Sequence, residues 1–439
     1  MKNIFLKAIC SAAALAAADA LAVPQVKDGV KMEQSGGLVT ITYELVGGPA
    51  IVTLDIQTNG VSIGGENLRC FSPDSAVWKK VSGDDVHRIV WRPDRSWAGN
   101  AAADAKAVVT AWAPGDAPDY MVVDISVGAK PDTARYYPTE AHLPGGLLEN
   151  PDYRTTSLVL RRMHAKGRRV TSGTVVELGR DAYYNGTDWN YDRENTRTAV
   201  FPDDYYIGVF EVTQAQWLLL GGRNTLHFTA DGVGAMRPAE GMRPCEVRWN
   251  KSDTYYYSTL WPEDPYATSW IGKLNDRTGL DFDLPSEAQW EFAARAGHPE
   301  GELGDGTLVT NVSTIADFPG CYSGNAENAS AVCGSYAPND FGLYDTVGNV
   351  WEMCLDWWEQ NPKDCTSWIN NSYDNPLCTV DGTAVGAGSS GSYTGKTVIK
   401  GGAWNKDARY CRPSCRTTAA QNGGGSDCGF RLVCRAGLE

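Results

Sequence analysis

Apolar and polar residues alternate along the first part of the chain. In KMEQSGGLVTITYEL the apolar positions Val39, Ile41 and Tyr43 fall two apart, the period of a strand with one buried face. PAIVTLDIQTNGVSI repeats the pattern and carries Asn59-Gly60, a hairpin turn signal. RIVWRPDRSW and YMVVDISVG supply further strand-like runs. Short strands at this spacing predict a small antiparallel sandwich of immunoglobulin or fibronectin type over residues 23–130. No catalytic constellation falls within it, so a spacer or adhesion role is the default reading.

The alternation then stops. Residues 131–155 (YYPTEAHLPGGLLENPDYRTT and its flanks) are rich in Pro, Gly and polar groups and read as a linker. Residues 156–439 are rich in Gly, Trp and Tyr, with few long periodic segments. Two short helices stand out. In TQAQWLLLGG, Thr213 is the N-cap, Gln216 completes a capping box and Gly221 ends the run. In LPSEAQWEFAARAG, Ser286 caps, Gln289 completes the box, Gly297 terminates, and Trp290, Ala293 and Ala294 form the buried stripe. Short helices among many loops and few strands predict an irregular α+β domain.

Composition adds localisation and excludes one partner class. Lys2 and Lys7 precede an apolar, alanine-rich run from Ala8 to about Ala18, and Ala20-Leu21-Ala22 fits a small-x-small cleavage site. Residues 1–22 are therefore expected to be an export signal of bacterial type, with a mature chain from Val23 that is secreted, periplasmic or on the cell surface. No run is long and apolar enough for a transmembrane helix. A net charge of −14 argues against a basic nucleic-acid groove. Of the 12 cysteines, Cys10 lies in the signal, which leaves an odd number. An exported chain permits disulfides. Candidate pairs are Cys321–Cys333, Cys365–Cys378 and two among Cys411, Cys415, Cys428 and Cys434, with the connectivity open. The five histidines, His87, His142, His164, His227 and His298, are scattered, so no two-histidine iron site is expected.

Five ordered segments carry a resemblance: YYIGVFEVTQAQW (205–217), RPCEVRWN (243–250), LNDRTGLDFDLPSEAQWEFAARAG (274–297), APNDFGLYDTVGNVWEMCLDWW (337–358), and KGGAWNKDARYCRPSCR (400–416) followed by CGFRLV (428–433). Together they resemble the formylglycine-generating-enzyme, or sulfatase-modifying-factor, family. The resemblance implies a variant of the C-type lectin fold over 156–439. It also implies a structural calcium bound by the loop GLYDTVGNVWE, through the side chains of Asp345 and Glu352 and the carbonyls of Gly348 and Val350. Hard oxygen donors suit that ion. A second calcium site of the family is not carried over, because the stretch 311–339 does not match it.

The family's chemistry oxidises a substrate cysteine using copper(I) held by two cysteine thiolates five residues apart. Carried onto this chain, the first position is Lys406 and the second is Cys411, while the family's serine position is Ala403. An ammonium cannot replace a soft thiolate ligand and repels the cation, so copper is not expected. Formylglycine generation is not expected either. The reading adopted is an exported binding module for a protein or glycan, with an exposed groove around Trp351, Lys406, Arg409, Tyr410 and Arg412. Two alternatives stand beside it. One is an oxidoreductase of altered chemistry acting through Cys411 or Lys406. The other is a variable binding protein diversified by a retroelement in its terminal segment.

Overall fold

The structure is a computed structural model that describes residues 23–128, 133–172, 197–224, 226–229, 234–248, 264–298, 303–307, 318–358, 396–420 and 424–435. The expected export signal, Cys365 and Cys378 lie outside the described residues.

The alternating region folds as its period demands. Strands β1 (Gln25–Val26), β2 (Lys31–Ser35), β3 (Leu38–Val46) and β7 (Asp85–Trp91) form one antiparallel sheet. Strands β4 (Ala50–Thr58), β5 (Val61–Ser62), β6 (Lys79–Val81) and β8 (Lys106–Trp112) form another. Val39, Ile41, Tyr43 and Leu45 of β3 are buried at every second position. They join Ala50, Val52, Leu54 and Ile56 of β4 in one apolar cluster with Trp78, Ile89 and Trp91. The expected turn is present, with Asn59 at φ 50° and Gly60 at φ 75°.

YMVVDISVG behaves differently. Its strand β9 (Tyr120–Asp124) pairs with β10 (Ala134–Tyr137) on one side and β11 (Ser157–Met163) on the other. The sheet then continues through β14 (Tyr205–Gly208), β20 (Val433–Arg435) and β15 (Phe282–Asp283), giving the order β10-β9-β11-β14-β20-β15. All its pairings are antiparallel. This six-stranded sheet therefore crosses the boundary placed at residue 130, and β10 lies within the segment read as linker. A separate hairpin joins β12 (Arg169–Ser172) and β13 (Arg197–Val200).

Both capping boxes form. Helix α1 (Gln214–Leu219) starts at Thr213, whose hydroxyl accepts from the Gln216 N–H while Gln216 accepts from the Thr213 N–H. Helix α4 (Glu287–Arg295) starts the same way at Ser286 and Gln289. It ends one residue before the expected glycine, because Ala296 itself turns into the left-handed region at φ 49°. Helices that escaped the sequence reading include α2 (Pro244–Arg248) and α3 (Trp270–Thr278). Helix α3 has a Ser269 cap and a left-handed Gly279 at its end.

Tryptophans fill the space between the six-stranded sheet and these helices. Trp217 and Trp270 stack at 5.8 Å between centroids, and the Phe430 ring meets both edge-on. Both of these indole N–H groups donate to a carbonyl, Trp217 to Arg223 and Trp270 to Trp217. A second four-stranded sheet, β18 (Arg416–Ala420), β17 (Lys396–Lys400), β16 (Trp351–Trp357) and β19 (Cys428–Gly429), lies next to α4. It includes one parallel pairing, β16 with β19. This sheet and the loop entering β16 bring the chemically interesting residues together. Among the described residues no helix is long and apolar enough to cross a membrane.

Candidate functional site

Two neighbouring regions hold the residues singled out by sequence. The first is the turn after β17. Gly401 and Gly402 take φ of 93° and 78°. A Cβ on Gly402 would sit 2.5 Å from the Cys411 sulfur, so the chain can lie over that thiol only without a side chain there. Ala403 and Cys411 are fully buried. Burial, reinforced by Cys415 beside it, pushes the Cys411 thiol far above its ordinary range. A thiol in that state is a poor nucleophile.

Lys406, five residues before Cys411, is partly exposed. Its ammonium pairs with Asp427 at 3.2 Å, and Asn405 donates to the same carboxylate at 3.1 Å. Arg409 forms a fork with Asp407 and covers the Tyr410 ring at 5.3 Å. Two of the five groove residues are not at the surface, which corrects the expectation of an exposed set. Trp351 is buried at the start of β16, and Arg412 is buried against the Arg409 carbonyl and Ser414. Lys406, Arg409 and Tyr410 remain accessible.

The second region is the loop 345–352. Asp345 and Asn349 take left-handed φ of 57° and 60°, a conformation these two residue types tolerate better than most. Gly348 crosses the chain at Cys321, where a Cβ would meet the Cys321 carbonyl oxygen at 2.1 Å. The two expected side-chain ligands have different fates. Glu352 is fully buried, and its two oxygens accept a bidentate fork from Arg431 at 2.6 Å each. One of them also accepts from the Trp290 indole at 2.7 Å. Its charge is thus matched inside the protein. Asp345 accepts from the Gly334 N–H through Oδ2 at 2.7 Å, while its Oδ1 is buried with no hydrogen-bond partner.

A third carboxylate, missed by the sequence reading, completes this region. Glu211 follows β14 and is buried. It accepts from Asn349 Nδ2 at 2.6 Å and from the Val350 N–H at 3.3 Å. The Cys333 sulfur lies 3.6 Å from its Oε2. Glu211, Cys333 and Asp345 each offer a ligand atom within 4.8 Å of the others. Burial, with the neighbouring carboxylates, holds Glu211 well above the usual carboxylate range. Burial likewise pushes Asp345 up to about 6. The only sequence signal for Glu211 was its place in FEVTQAQW, directly before a capping box.

The expected disulfides are not formed among the described residues. Cys70, Cys245, Cys321, Cys333, Cys354, Cys411, Cys415, Cys428 and Cys434 are all free thiols. Cys321 and Cys333, proposed as a pair, instead flank the acidic cluster. The Cys321 thiol contacts the Ala329 carbonyl, and Cys333 contacts Glu211.

Comparison with known proteins follows the same lines. The formylglycine-generating enzyme of Thermomonospora curvata is 30 % identical over 179 residues, covering 38 % of this chain and 51 % of that protein. The chain thus spans about half the length of that relative. The bovine (Bos taurus) formylglycine-generating enzyme is 24 % identical over 304 residues, covering 61 % of this chain and 76 % of the other. Among solved structures, Treponema denticola variable protein 1 aligns with a TM-score of 0.44 at 21 % identity, over 64 % of this chain and 96 % of that one. PvdO from Pseudomonas aeruginosa aligns with a TM-score of 0.44 at 20 % identity, over 63 % and 94 % respectively. The sequence profile of the sulfatase-modifying factor enzyme 1-like domain matches residues 161–436, and the chain belongs to that family.

Proposed function

We propose that this chain is an exported binding module built on the sulfatase-modifying-factor scaffold, and that it does not generate formylglycine. The observation that carries this reading is the state of the two positions that would hold copper(I). One is Lys406, a cation engaged with Asp427, and the other is Cys411, a fully buried thiol driven toward its protonated form. No thiolate pair is available there, and a lone ammonium has no affinity for a soft cation. The burial of Cys411 also weighs against the oxidoreductase of altered chemistry, which needs an accessible, ionised thiol. The exported location rests on the N-terminal signal pattern alone.

The accessible trio Lys406, Arg409 and Tyr410 supports a ligand with anionic or hydroxyl groups and a face to stack on, a peptide or a glycan. The two N-terminal sheets, sharing one apolar cluster, suit a sandwich-like spacer that presents the family domain. For calcium, the loop residues are unequal. The orphaned oxygen of Asp345 favours a cation, whereas Glu352 is already neutralised by Arg431.

The test is a conversion assay. Purified protein, supplied with copper(I), calcium and oxygen, is incubated with a cysteine-containing sulfatase-motif peptide and read by mass spectrometry for the aldehyde. The expected outcome is no aldehyde beside an active control enzyme. Conversion would overturn the binding-module reading. Maleimide labelling of the native chain adds a second readout, with exposed Cys70 modified and Cys411 protected.

A further inference from the structure

The space under the 345–352 loop holds more negative charge than its surroundings neutralise. Glu211, Asp345 and Glu352 are all buried there. Of the nearby cations, Arg431 forks onto Glu352 and also donates to the Gly208, Val209 and Tyr344 carbonyls. Arg154 donates to the Cys333 and Leu148 carbonyls and not to a carboxylate. Among the described residues, then, neither Glu211 nor Asp345 has a cation in direct hydrogen-bond contact. Buried carboxylates in that situation take up a proton or a metal ion.

Geometry favours the metal, and we propose that Glu211, Cys333 and Asp345 bind a thiophilic divalent cation of the zinc class. The Asp345 carboxyl belongs to this cluster, and its Oδ1 is buried and unpartnered, although its sister oxygen is fixed by the Gly334 N–H. Asn349 fixes Glu211 in the same manner. These contacts set the orientation of the ligands, as supporting hydrogen bonds do around metal sites. The Cys333 Sγ to Glu211 Oε2 separation is 3.6 Å. A tetrahedral zinc ion with bonds of about 2.0–2.3 Å holds its ligands roughly 3.3–3.7 Å apart. The sulfur decides the class of ion, since calcium and magnesium take oxygen donors and a thiolate selects a softer or borderline metal. On binding, the Cys333 thiol releases its proton to solvent and the sulfur lone pair becomes the bond to the metal. This donor set shares only Asp345 with the calcium set implied by the resemblance. It stands independently of what the Lys406 surface binds.

The experiment uses the full chain, stripped with a chelator and titrated with cobalt(II) alone, then with zinc(II) alone. The expected result is one cobalt ion per chain with a near-ultraviolet sulfur-to-cobalt charge-transfer band that zinc abolishes by displacement. Cys333→Ser is expected to lose the band, while Cys70→Ser and Cys411→Ser keep it. Asp345→Asn is expected to weaken the affinity at least tenfold. A wild-type chain that shows no band under cobalt overturns the proposal. So does a band that survives in Cys333→Ser, or stoichiometric calcium binding indifferent to that substitution. Should Cys333→Ser fail to fold, the wild-type spectrum and the Asp345→Asn affinity decide the matter.

Discussion

Two buried clusters of charge lie side by side in this domain, and they are built on opposite terms. Around α4, Glu287 and Glu291 face Lys400, Arg416 and Arg295. Arg416 forks onto Glu287 at 2.8 Å, Lys400 bridges both acids, and Asp356 accepts from the Glu287 N–H. Every acid there has a basic or backbone partner. Around Glu211 and Asp345 the acids outnumber the cations, and an oxygen is left over. A matched network holds a scaffold in one arrangement. An unmatched one stores an affinity for something the chain does not itself supply.

Substitutions that remove a cation break this contrast most sharply. Arg431→Met strips the unmatched cluster of its one direct counter-ion and is expected to cost about 5 kcal/mol, the upper end for breaking a buried pair. Urea denaturation should show a chain largely unfolded under conditions where the wild type is native. Glu287→Gln, in the matched cluster, leaves Lys400 and Arg416 partly unpaired and is expected to cost about 3 kcal/mol by the same measurement. Asp345→Asn should behave with the opposite sign. In chelator it removes an unpartnered buried charge and is expected to be neutral or to stabilise by about 1 kcal/mol. An Asp345→Asn loss as large as that of Glu287→Gln would mean that the two clusters are not different in kind. The smallest effect is expected at the surface pair. Asp427→Asn releases Lys406 and should shift stability by ~0.2–1 kcal/mol, less at high salt. A larger shift would mark Lys406 as part of the structural network and not of a ligand surface.

Local signals in the sequence were reliable where the physics is local. The capping boxes at Thr213 and Ser286 specify helix starts within four residues, and both helices begin there. Alternation at Val39, Ile41 and Tyr43 specifies which face is buried, and that face is buried. Helix α3 was legible in principle from Ser269 and Gly279, but Gly272 inside it weakens a helical reading. A Cβ at Gly272 would meet the Tyr266 carbonyl oxygen at 1.9 Å, so close packing and not propensity selected that residue. Strand β9 shows the limit from the other side. Its residues announce a strand, but nothing in them names β11 as the partner. The same holds for the site. The fork that Arg431 makes on Glu352 joins residues 79 positions apart, which no local pattern in the sequence reveals. Cys333 looked like half of a disulfide because spacing alone cannot reveal that its neighbour in space is Glu211.

The place of β20 has a consequence for how the molecule is made. This strand, at 433–435, is inserted between β14, at 205–208, and β15. A chain emerging from a ribosome therefore presents β14 with one open edge for more than two hundred residues of synthesis. Pairings of such long range form slowly, and an uncovered strand edge in the interval is a template for wrong partners. Loss of the few residues of β20 would not trim the domain. It would reopen that edge for the lifetime of the protein, and the outcome to expect from such a truncation is precipitation rather than a slightly smaller native fold.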